Sequence, residues 1–153
     1  MTGARSFLIL ITAVLFLSLP SARTQTQPQA IKVELDQKHL ALHVTVWCRA
    51  PSGVTFGKWQ LPWGNANSMI LVAVTGDKSY IDRNLLIDDP TTEQVSLKPT
   101  ESLSGDVSLE KAFTGLDPAL KKSDVHLFWA YEAPEELHIP RWSGGWILIP
   151  QKK

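Results

Sequence analysis

The chain has 153 residues, 15 of them basic and 15 acidic, a balance that leaves no electrostatic footprint for nucleic acid or an anionic membrane surface. Its single cysteine, Cys48, excludes an intrachain disulfide framework, so any core must hold together on apolar burial alone. The length suits one domain behind a leader and is short for two.

Met1-Thr-Gly-Ala-Arg5 precedes a 13-residue run from Phe7 to Leu19 that is apolar except for Thr12 and Ser18, followed by Pro20-Ser-Ala-Arg-Thr24. A basic start, an apolar stretch and a small-residue exit are the parts of a secretory signal peptide. The run is shorter than the roughly 20 apolar residues of a membrane span. We expect residues 1–24 to be that signal, with Ala22 and Thr24 ahead of the cut; an uncleaved anchor is the alternative. Its loss removes Arg5 and Arg23 and leaves 13 basic against 15 acidic groups. Export to the periplasm or the medium follows as the expected location. There is no Asn-x-Ser/Thr acceptor, which favours a bacterial envelope or secreted protein.

Residues 25–30 are polar and read as a flexible leader, and 31–150 as one domain. Ile31 to Leu35 alternates and predicts a first strand. His39 to Arg49 predicts a second, with Leu40, Leu42, Val44, Val46 and Cys48 on its inward face. Cys48 in that phase reads as a small buried hydrophobe. Pro51, Gly53, Gly57, Pro62 and Gly64 mark turns around a short strand at Val54 to Phe56. The continuous apolar run Met69 to Val74 predicts a strand buried on both sides. Gly76-Asp-Lys-Ser turns into Tyr80-Ile81, and Asp82 to Thr92 reads as a short edge segment ended by Pro90. Strands follow at 94–98 and 104–109, then one or two helical turns with Asp117 as N-cap and Pro118 first in the helix. Asp124 to Tyr131 alternates strictly, and Trp146 to Ile149 closes the series before Pro150.

Short strands at frequent turn signals without a long helical period predict an all-β antiparallel sandwich with a short helical turn in one connection. Val95-Ser-Leu-Lys-Pro-Thr-Glu-Ser, then Gly105-Asp-Val-Ser-Leu109 with Phe113, then a strand ending in Tyr131, resembles small bacterial exported immunoglobulin-like domains. The resemblance spans residues 38–131. This chain has Thr100 where the turn of that family usually holds Gly. The family implies a binding or structural module and transfers no catalytic residues.

The chemistry-bearing residues are sparse. His39 and His43 share a strand face but stand about 13 Å apart in extended chain, and no carboxylate or Cys lies at zinc spacing beside any histidine. No metal and no cofactor is expected. Gly-x-Ser-x-Gly is absent and Ser143-Gly-Gly lacks a strand-to-helix elbow, while Asp88-Asp89 and Glu135-Glu136 read as solvated turns. We therefore expect no enzyme.

Tryptophan stands out, with six residues at 47, 59, 63, 129, 142 and 146. In one reading Trp129, Trp146 and Trp47 fill the core. In the other, Trp59, Trp63 and Trp142 form an exposed ligand-binding platform edged by His138 and Arg141, with loops 57–66 and 134–145 as the contact surface. The expected function is an exported, non-catalytic binding module for a protein or cell-envelope component. A carbohydrate-binding module stacking polysaccharide on the same rings and an extracellular protease inhibitor are the alternatives.

Overall fold

The computed structural model describes residues 30–65, 67–84 and 91–153. The expected signal peptide, positions 25–29 of the leader and positions 85–90 of the edge segment lie outside the described residues. Among the described residues there are nine strands: β1 (Ile31–Asp36), β2 (Ala41–Trp47), β3 (Val54–Gly57), β4 (Met69–Thr75), β5 (Tyr80–Ile81), β6 (Gln94–Leu97), β7 (Ser102–Ser108), β8 (Val125–Glu132) and β9 (Trp142–Ile149). All pairings are antiparallel, in sheets ordered β1-β2-β7, β3-β6 and β5-β4-β8-β9. The protein is all-β.

Alternation decides what each sheet buries. In the three-stranded sheet the rows Leu35–Leu42–Val107, Val33–Val44–Gly105 and Ile31–Val46–Leu103 face inward. In the four-stranded sheet Met69, Leu71 and Ala73 of β4 face the same core as Val125, Leu127 and Tyr131 of β8. Phe56 and Leu97 of the small sheet join that single cluster, as does Cys48, which is fully buried and unbridged. The cysteine thus behaves as its strand phase predicts.

The outer face of the three-stranded sheet is polar. There Thr45 and Ser104 share a hydroxyl hydrogen bond of 2.8 Å, and His43 Nδ1 lies 2.8 Å from Asp106 Oδ1. The four-stranded sheet is different. Its outer rows are Ile70–Ala130–Gly144, Val72–Phe128–Trp146 and Tyr80–Val74–His126–Leu148. Ile70 and Val72 are exposed, so the expectation that β4 is buried on both sides is corrected. No further layer covers this face among the described residues. Trp146 is likewise corrected: it is 62 % exposed rather than core, because alternation along β9 places it with Phe128 on the outside.

Two short helices follow β7, α1 (Leu109–Ala112) and α2 (Leu116–Leu120). Ser108 caps α1 by accepting the Lys111 amide at 3.3 Å, and Gly115, not Asp117, is the N-cap residue of α2. The helix starts two residues early because Pro118 still falls in its first turn, where no amide donor is needed. Asp117 instead pairs with Lys121 at 3.0 Å and with Lys152. Strand β9 also begins earlier than Trp146, since Ser143-Gly-Gly stays in the ladder against Tyr131, Ala130 and Trp129.

Candidate functional site

The residues around Trp59 are held by their backbone. A 3-10 turn at Lys58–Gln60 leaves β3, and the Gln60 side chain accepts the Gly57 amide at 3.0 Å. Ser68 Oγ donates to the Trp59 carbonyl at 2.6 Å, and the buried Tyr131 hydroxyl donates to the Gln60 carbonyl at 2.9 Å. The Trp59 ring folds back over Gly57, where a Cβ would come within 2.4 Å of the indole nitrogen. That contact fixes the ring while leaving it 45 % exposed.

Opposite it lies the turn between β8 and β9, where the Ala133 amide donates to the Arg141 carbonyl at 2.8 Å. The Arg141 guanidinium donates through Nε at 2.8 Å and Nη2 at 2.7 Å to one oxygen of Glu132. Glu132, and then Glu135, hold its pKa above the usual arginine value. A second 3-10 turn, Glu135–Leu137, buries Leu137 and leaves both glutamates exposed.

Between these walls is an open cleft of about 540 Å³, lined by Trp59, Asn65, Asn67 and Ser68 on one side and by Glu132, Pro134, Glu135, Glu136 and Arg141 on the other. Three carboxylates face one guanidinium, which is already engaged by Glu132, so the cleft carries net negative charge. The aromatic ring supplies a flat π-face at its edge.

The sequence-predicted platform is thus partly assembled. Trp59 and Arg141 meet in the cleft. Trp142 sits next to Arg141 in the chain but pairs with Glu132 at the end of the outer sheet face, where it is 54 % exposed. His138 is exposed just beyond the second 3-10 turn, in left-handed backbone at φ 53°. Trp63 is elsewhere. It packs against the core with its ring over Gly105, where a Cβ would lie 2.3 Å from the indole. Trp129 is half-buried against Gly145, and Trp47 is half-buried beside Ser102.

Sequence reasoning missed the acidic wall, because Glu135-Glu136 was expected to be a plain solvated turn. The signal was local: Pro134 followed by two acids between two strands puts both side chains on a tight turn beside the Arg141 loop. The outer apolar face was also missed, although Ile70, Val72 and Val74 share a strand side. Among the described residues no group of three or more His, Cys, Asp or Glu could hold a metal ion, and no helix is long and apolar enough to cross a membrane. No protein-family model matches the chain, and no curated protein matches it.

Proposed function

We propose that the chain is an exported, non-catalytic immunoglobulin-like β-sandwich that captures a protein or cell-envelope partner through the cleft between Trp59 and Arg141. The leader pattern of residues 1–24 supports export, and the antiparallel sheets around one core support the sandwich. The observation that carries the binding reading is the meeting of Trp59, Asn65, Asn67 and Ser68 with the turn 133–141 around an exposed indole and an acidic wall. Such a cleft suits a segment bearing Lys or Arg: carboxylates pair with the cation while its apolar stem and charge lie against the ring.

A second reading, polysaccharide binding, is favoured by the Trp59 face standing beside the amides of Asn65 and Asn67. The two differ in their dependence on charge. Titrating the intact chain with Lys/Arg-rich peptides, followed by tryptophan emission, should give saturable binding. Trp59→Ala should weaken that binding about 5- to 30-fold, on the scale of a cation–π contact and its buried area. The double change Glu135→Lys with Glu136→Lys should abolish it. Equal peptide binding by all three proteins would overturn the cationic reading. Retention on insoluble polysaccharide that falls with Trp59→Ala and ignores the charge reversal would favour the second.

A further inference from the structure

The outer face of the four-stranded sheet is a separate surface. Its three apolar rows hold Ile70, Val72 and Val74 from β4, Tyr80 from β5, His126, Phe128 and Ala130 from β8, and Gly144, Trp146 and Leu148 from β9. None of these is Asp, Glu, Lys or Arg. Six are large and exposed, from 38 % for Val72 to 76 % for Tyr80. With aromatic side chains of 150–250 Å² and smaller aliphatic ones, these fractions leave about 600 Å² of open apolar surface. A specific interface covers about 600–1,000 Å² on each partner, so this patch reaches the lower end of that range, and the exposed Trp142 beside it adds to the area. The opposite sheet, with its Thr, Ser, His and Asp face, presents nothing comparable.

The relief of the face says what fits on it. The Trp146 row is high, with the indole beside Phe128 and its ring centre 6.0 Å from that of His126. The neighbouring row is low, since it ends in Ala130 and Gly144. Knob and hollow are therefore adjacent same-side positions on one strand, about 7 Å apart. A two-fold axis lying in the interface, across the strands and between those rows, exchanges them. It sets Trp146 of each copy over Gly144 and Ala130 of the other. The same operation brings the exposed Trp142 over Leu148 of the second copy. Glu132, which pairs with Trp142, then comes over His126 of the second copy, so the one carboxylate at the edge of the patch meets no like charge.

We propose that this face is the interface of a symmetric homodimer, formed by sheet-on-sheet packing of two copies of the chain. Trp59, Asn65, Asn67, Glu135, Glu136 and Arg141 of each cleft lie outside the rows that pack together, and Glu132 stands at the border of both surfaces, so dimerisation presents two binding sites. The residues whose substitution tests the dimer, Phe128 and Val72, line no part of the cleft, so either proposal can fail alone.

The test is sedimentation of the chain, purified at the length in which cells accumulate it, over a wide concentration range. A monomer–dimer equilibrium that saturates at two copies is the expected result. Phe128→Lys and, separately, Val72→Lys should weaken it at least about 100-fold, as loss of a central apolar anchor does. Both residues are exposed, so their thermal midpoints at low concentration should stay near that of the unsubstituted chain. Thr45→Lys, on the opposite polar face, should leave the dimer intact. A chain that stays monomeric at all concentrations would overturn the proposal, as would a dimer indifferent to both lysines. Association that continues past two copies would overturn the two-fold geometry.

Discussion

At the scale of single residues, Thr100 carries a cost that the fold tolerates. It stands in left-handed backbone at φ 66° in the turn between β6 and β7, a region that Cβ sterics make unfavourable for a β-branched residue. The turn is kept because Glu101 closes it: its side chain accepts the Lys98 amide at 2.7 Å, and its amide donates to the Lys98 carbonyl at 3.1 Å. The Thr100 amide also donates to the Cys48 carbonyl at 3.2 Å. Thr100→Gly should raise stability by about 1 kcal/mol, the left-handed penalty less the added freedom of glycine in the unfolded chain. A shift of the urea midpoint upward at constant slope checks it.

Tyr131 shows the opposite balance. Burial drives its phenol well above the ordinary tyrosine value of 10.0, because the charged form is denied water while the neutral form donates to Gln60. The folded state therefore holds its proton where the unfolded state begins to lose it. The resulting stability is fully present below pH 10 and is lost as pH rises beyond it, by up to about 1.4 kcal/mol per pH unit. Tyr131→Phe should cost about 1 kcal/mol at neutral pH through the orphaned Gln60 carbonyl. It should also flatten the alkaline fall relative to the unsubstituted chain. An unchanged alkaline slope in the phenylalanine variant would contradict the assignment.

Elements were legible where one periodicity ruled. The alternation of β1, β2 and β8 and the turn residues around β3, β6 and β7 placed these strands within a few residues of where they lie. Continuous apolar runs misled. Met69 to Val74 reads as buried on both sides, since composition cannot distinguish a covered face from an apolar one left open. One reading puts Trp146 in the core for the same reason, its hydrophobicity being visible and its side of β9 not. The cleft was legible only as two loops, because whether Trp63 or the acidic turn joins Trp59 depends on long-range packing.

Trp63 is an example of that packing acting between elements. Its ring occupies the space above β7 that Gly105 leaves, and Gly105 faces inward opposite Val44. Gly105→Ala should cost about 1–3 kcal/mol, the range for forcing a methyl into a filled core site. Combining it with Trp63→Phe should return part of that loss, which paired denaturation curves would measure as a coupling between β7 and the loop after β3.

At the scale of the whole molecule, three sheets share one core among the described residues, and the two larger ones expose unlike backs. One back is hydroxyl-rich and charged, the other apolar, and the acidic cleft sits at the end of the apolar one. We propose partner capture at the cleft and self-association on the apolar sheet. Site-specific photo-crosslinking tests that division most directly, with the reactive residue at position 136 in one preparation and at position 128 in another. From position 128 the expected product is an adduct of twice the mass of the chain. From position 136 the expected adducts are with a different molecule and are competed by a Lys/Arg-rich peptide. Only self-adducts from position 136, or cleft adducts indifferent to the peptide, would contradict that division.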